Sequence, residues 1–116
     1  MVHVLLVDDN DTYRKAASTL LQSIGHTVTE AVDLRSALIE ARYLTAKDKV
    51  LTDKNLGDHR GIEPFLNYLK EEKPEVKVIL ASGEVGTYAK RELYCHAFFE
   101  KGKDDVEDLI RMIESG

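Results

Sequence analysis

The chain has 116 residues, the common size of one compact domain, with 43% hydrophobic and 32% charged side chains,. No apolar run approaches the roughly 20 residues of a membrane span, so insertion as a hydrophobic helix is excluded. Twenty-one acidic residues against sixteen basic ones leave a net charge of -5, which argues against a nucleic-acid surface and favours protein partners. The apolar start, Val2 to Val7, runs straight into Asp8 and Asp9, unlike a signal peptide with its basic start and cleavage site, and a cytoplasmic protein is expected,. Cys95 is the lone cysteine, read as a small, partly buried hydrophobe without redox chemistry,. One domain over residues 1–116, with no linker, is the expected organisation.

Val2-His3-Val4-Leu5-Leu6-Val7 is a near-continuous apolar run ended by acids, the pattern of a strand buried on both faces of a parallel sheet (β1),. From Asp11 the period lengthens: Tyr13, Ala17, Leu20, Leu21 and Ile24 fall on one helical face, and Gly25 supplies a left-handed stop (α1),. His26 to Ala31 reads as a short strand (β2), followed by Asp33 as an N-cap and by Leu34, Ala37, Leu38 and Ala41 at helical spacing (α2),. Lys49 to Thr52 forms a weaker strand that ends at Asp53 (β3), and Gly57 to Gly61 is a polar loop,. Ile62, Phe65, Leu66 and Leu69 mark α3, with Pro64 in its first turn and Pro74 just beyond its end,. Val76 to Ala81 gives β4, ending at Ser82. The polar stretch Glu84 to Cys95 reads as a weakly amphipathic α4, Ala97-Phe98-Phe99 as β5, and Val106, Leu109, Ile110 and Ile113 as the buried stripe of α5.

Five strand-helix units in a row predict an α/β fold, a five-stranded parallel sheet with helices on both faces, because parallel strands need crossover connections. Ligands of such sheets sit at the C-terminal strand edge. Asp8-Asp9, Asp53, Ser82 and Lys101 lie just past the ends of β1, β3, β4 and β5, so one crevice collects all of them. Each alone has an ordinary explanation: Asp8-Asp9 as a helix cap, Asp53 as a loop residue, Ser82 as a turn residue, Lys101 as a solvated charge. Their order on four separate strand ends is what points to a site.

Clustered carboxylates repel, by roughly 1 kcal/mol per pair about 4 Å apart in water and about 4 kcal/mol at an effective dielectric near 20, so a cation must offset them. Oxygen ligands without cysteine or a suitably spaced histidine suit Mg²⁺, with Asp9 and Asp53 as direct ligands and Asp8 orienting a water. His3, His26, His59 and His96 are scattered and form no metal-ligand spacing,. A carboxylate also serves as a nucleophile toward phosphorus. Asp53 is then the nucleophile and Lys101 the charge clamp, while Ser82 donates to a phosphoryl oxygen and Gly83 leaves room for it.

The strings Val4-Leu5-Leu6-Val7-Asp8-Asp9-Asn10, Leu51-Thr52-Asp53-Lys54-Asn55-Leu56, Ile79-Leu80-Ala81-Ser82-Gly83 and Phe98-Phe99-Glu100-Lys101 resemble those of response regulator receiver domains. The resemblance implies a flavodoxin-like, doubly wound (βα)5 fold of strand order 2-1-3-4-5. It implies an acid pocket at Asp8 and Asp9, phosphorylation of Asp53 and a metal contact from the Asn55 carbonyl. Lys101 binds phosphate, and Ser82 and Phe98 form a switch acting on the α4-β5-α5 face. Asn55 and Glu84 resemble the lifetime-setting pair of fast-resetting chemotaxis-type receivers. The implied partners are a sensor histidine kinase or histidine phosphotransfer protein, and a downstream protein at the α4-β5-α5 face; with no DNA-binding or enzymatic segment after α5, output passes through a partner protein, or the chain is a piece of something longer. The expected role is a phosphoacceptor and not a turnover enzyme. Two positions depart from the pattern: Gly57 replaces a usual proline, and Gly102 stands where the lysine is generally followed by a cis-proline. A cis bond before a non-proline residue costs about 2.5–4 kcal/mol, so a trans Lys101–Gly102 bond with a rearranged loop is one outcome to look for.

Three other readings fit less of the chain. Asp9-Asn10-Asp11 and Val78-Ile79-Leu80-Ala81-Ser82 are similar to motifs of haloacid-dehalogenase-like phosphatases, but that reading leaves Asp53 without a role and needs Asp104-Asp105 as its late acids. A flavodoxin-like FMN binder lacks a Ser/Thr/Gly-rich loop after β1. A docking module that is no longer phosphorylated has no use for the complete acidic site.

Overall fold

A computed structural model of the chain describes residues 1–54, 61–83 and 93–115. Its elements run β1(His3–Val7), α1(Asp11–Ser23), β2(Thr27–Ala31), α2(Leu34–Ala41), β3(Lys49–Asp53), α3(Glu63–Glu72), β4(Lys77–Ser82), β5(Ala97–Glu100) and α5(Val106–Glu114). The stretch expected to form α4 lies outside the described residues except for Leu93, Tyr94 and Cys95, as do Asn55, Gly57, His59 and Glu84.

All strand pairs are parallel, in the order β2-β1-β3-β4-β5. Because successive strand residues point to opposite faces, the apolar runs feed two cores at once. Leu5, Val7, Val50, Val78, Leu80 and Phe98 pack with Leu34 and Ala37 of α2 and Phe65 and Leu69 of α3. On the other face, Val4, Leu6, Leu51, Ile79 and Phe99 pack with Ala17 and Leu21 of α1 and Leu109 and Ile113 of α5. This is the doubly wound arrangement expected from the sequence, and Cys95 packs against the first core as a partly buried side chain.

Three of the four described helices start at a side-chain cap, α3 being the exception. Asn10 accepts the Tyr13 N–H at 2.9 Å, Asp33 accepts that of Ser36 at 2.8 Å, and Asp105 accepts that of Asp108 at 3.0 Å,. Asp33 and Asp105 each complete a reciprocal capping box,. The buried face of α1 is turned from the expected one. Arg14, Ala17, Ser18 and Leu21 are buried, whereas Ile24 is the exposed C-cap. Val106, expected inside, is also exposed, because it occupies the first turn of α5.

Candidate active site

The parallel register sets the C-terminal strand ends side by side. Val7 pairs with Thr52, Asp53 with Ala81, and Ser82 with Glu100, so the residues that follow each strand open onto one edge. Two further backbone bonds fix the edge: Lys54 N–H donates to the Ala81 carbonyl and Lys101 N–H to the Ser82 carbonyl, both at 2.8 Å.

Asp8, Asp9 and Asp53 each offer a carboxylate oxygen within 4.8 Å of the others. Asp8 is buried, Asp53 partly buried and Asp9 exposed. Asp8 Oδ1 accepts the Asn10 N–H at 2.9 Å, which aims its other oxygen at Lys101. Lys101 Nζ lies 3.0 Å from Asp8 Oδ2 and 3.4 Å from Asp53 Oδ1, so one ammonium bridges two of the three acids. Burial raises the Asp53 carboxyl above the usual aspartate range. The Lys101 ammonium opposes that rise, and the charges of Asp8 and Asp9 add to it,.

The Lys101–Gly102 bond is trans, there being no cis peptide among the described residues, and Gly102 adopts φ +83°. The loop turns through Lys103 and Asp104 N–H groups donating to the Glu100 carbonyl at 3.2 and 2.8 Å, while Asp104 Oδ2 accepts the Glu100 N–H at 2.8 Å. Lys101 thus reaches the acids without a cis bond. Asp104 and Asp105 have structural employment here, the first closing this loop and the second capping α5, which removes them as the late acids of a phosphatase site.

Ser82 is buried at the end of β4, and a side chain at Gly83 would meet nothing within 4 Å, so the edge is open beside it. Phe98 is also buried, in the core that contains Leu93, Tyr94 and Cys95 at its margin. Five of the predicted site residues, Asp8, Asp9, Asp53, Ser82 and Lys101, therefore come to one edge. Phe98, paired with Leu80, lies two residues inside the Ser82–Glu100 pair, and Asn55 and Glu84 fall outside the described residues.

Two residues join the site that the sequence does not assign to it. Arg14 is buried and donates to the Asp8 carbonyl at 2.9 Å, to Glu30 Oε1 at 2.9 Å and to Asp11 Oδ1 at 2.6 Å, tying α1 and β2 to the residue that carries the first acid. An arginine at helical spacing with Ala17, Ser18 and Leu21 was the available signal. Tyr13 places its ring 4.0 Å from Lys101 Nζ. Burial, with the charges of Asp8 and Asp53, pushes its hydroxyl up to about 12, so the ring is neutral at ordinary pH.

The sequence profile of the response regulator receiver domain matches residues 4–113. The chain belongs to that family. It is thus a receiver domain of two-component signal transduction. No curated protein matches it in sequence at a significant level. Among solved structures it is similar to the chemotaxis protein CheY4 of Vibrio cholerae, with TM-score 0.84 and 24% identity over 98% of this chain and 97% of that one. The receiver domain of a sensor histidine kinase from Pseudomonas aeruginosa, which has a magnesium ion coordinated in its active-site cleft, gives TM-score 0.83 and 19% identity over 97% and 94%. The response regulator TrrA of Thermotoga maritima, in complex with Mg²⁺ and BeF, gives 0.79 and 19% over 97% and 99%. These likenesses show the receiver fold. Among the described residues no helix is long and apolar enough to cross a membrane.

Proposed function

We propose that this receiver domain accepts a phosphoryl group on Asp53 from a phosphohistidine of a sensor histidine kinase or histidine phosphotransfer protein, and signals by changing what its α4-β5-α5 face binds. The observation that carries the reading is the Lys101 ammonium set between Asp8 and Asp53 at 3.0 and 3.4 Å beside the third acid. On this reading the protein works in the cytoplasm, where such phosphodonors act, as a phosphoacceptor and not a turnover enzyme.

An ionised Oδ of Asp53 attacks the donor phosphorus. The new O–P bond forms as the N–P bond breaks, and the electron pair leaves on the imidazole nitrogen, which takes a proton from solvent. Lys101 supplies positive charge on one side of Asp53, and its contact with Asp8 holds it there. Asp8, Asp9 and Asp53 form an all-oxygen donor set that fits Mg²⁺,. When bound, that cation neutralises charge on the transferring phosphoryl oxygens. Incubation with acetyl phosphate and Mg²⁺ should add one phosphoryl group per chain by intact mass, and EDTA should abolish the addition. Equal labelling in EDTA would contradict the metal requirement.

Ser82 and Phe98 are the proposed switch. A hydroxyl drawn toward the phosphoryl group changes the packing beside Phe98, and a phosphate biases two states only through contacts that differ between them. Phe98 has no hydroxyl, so its buried state rests on packing with the core that Leu93 and Tyr94 join. Ser82→Ala should still take up phosphate yet lose most of the phosphorylation-induced NMR shift change in residues 84 to 113. A full response in that variant would defeat the coupling.

A further inference from the structure

The Lys101 ammonium has three neighbours among the described residues: Asp8 Oδ2, Asp53 Oδ1 and the face of the Tyr13 ring. The first two change during the proposed chemistry, because a bound cation would draw on the charge of both acids and Asp53 gives up its anionic oxygen to the O–P bond. The ring changes in neither step. Lysine is a flexible four-carbon stem ending in a point charge. The chain after Lys101 is a trans bond to a glycine at φ +83° whose Cα has open space around it, so neither a proline ring nor packing at Gly102 stiffens the loop. Hydrogen bonds between Glu100 and Asp104 close that loop, and Tyr13 is held independently of it, on α1. Its N–H is held by the Asn10 cap at 2.9 Å in the first turn of α1, and Arg14 beside it is anchored by three hydrogen bonds.

We infer that Tyr13 is a positioning residue, whose ring holds the Lys101 ammonium beside Asp53 by a cation–π contact that persists through phosphoryl transfer; this rests on the phosphoacceptor reading. The ring offers its negative face to the ammonium, and the contact is strongest where water is excluded, as it is for a side chain only 18% exposed,. The hydroxyl is not needed for it.

The test compares Tyr13→Leu, which keeps apolar bulk but removes the π face, with Tyr13→Phe, which keeps the face. With acetyl phosphate and saturating Mg²⁺, the initial rate should fall about tenfold in Tyr13→Leu, the size of one desolvated cation–π contact, and stay near the parent in Tyr13→Phe. In a Lys101→Ala background, Tyr13→Leu should have no further effect. The Lys101 Hε resonances of the unphosphorylated parent should carry a ring-current shift that is kept in Tyr13→Phe and lost in Tyr13→Leu. An unchanged rate in Tyr13→Leu, a Tyr13→Phe variant as slow as Tyr13→Leu, an effect that persists without Lys101, or no ring-current shift would each overturn the inference while the phosphoacceptor reading stands. A parent that takes up no phosphate would overturn both, and is distinguished by failing before any variant is compared.

Discussion

Lys101→Ala is expected to slow phosphoryl uptake at Asp53 by about 10²–10³-fold, the usual consequence of losing one preorganised charge from a transfer site. The parent lysine offsets the Asp8–Asp53 repulsion and lies 3.4 Å from the Asp53 oxygen, beside which the proposed transfer would bring phosphoryl charge. Alanine removes the clamp without touching any acid. Mg²⁺ affinity should therefore not fall, and should rise, since an ammonium beside the acids repels a second cation. Initial rates at saturating Mg²⁺, together with a Mg²⁺ titration of the unphosphorylated protein, separate the two effects. A rate within threefold of the parent would show that Lys101 bridges the acids for structural reasons alone.

Arg14→Ala should cost about 2–3 kcal/mol of folding stability, measured by urea denaturation, chiefly because the Asp8 carbonyl loses a buried, charged partner. The contacts with Glu30 and Asp11 contribute less, since those carboxylates are 38% and 73% exposed,. Arg14→Lys should recover only part of the loss, because one ammonium cannot reproduce a planar fork that reaches Asp8, Glu30 and Asp11 in three directions,. A loss below about 0.5 kcal/mol for Arg14→Ala, ordinary for a surface substitution, would mean that water replaces the guanidinium at no cost.

These two residues mark how far sequence reading reaches into the placement of side chains. Lys101 was legible because it closes an apolar strand, as Asp8, Asp53 and Ser82 close theirs, and strands of a doubly wound sheet share one functional edge. The two-faced core was legible for the same reason: runs such as Val4 to Val7 have no polar side to give to solvent. Arg14 was passed over because hydrophobic periodicity counts a charge as exposed. It is buried only through partners on β2 and at the end of β1, which helical spacing does not contain. The same blindness turned the α1 face toward Ile24, which lies at the cap, beyond the last buried turn. Tyr13 and Lys101 are 88 positions apart in the chain, and no local pattern joins them. The Lys101–Gly102 linkage was open on the sequence, since the departure from proline removes the constraint without saying what replaces it. The structure supplies the answer as a glycine at φ +83° and a carboxylate, Asp104, that closes the turn. The proposed lifetime pair, Asn55 and Glu84, stays an expectation of the family resemblance.

The most direct test of the account is the position of the phosphoryl group. Parent and Asp53→Asn proteins are incubated side by side with acetyl phosphate and Mg²⁺, and intact masses are compared. The parent should gain one phosphoryl group and Asp53→Asn none, because an amide offers no anionic oxygen to attack phosphorus while the fold around it keeps its shape. A variant labelled as well as the parent would contradict Asp53 as the acceptor.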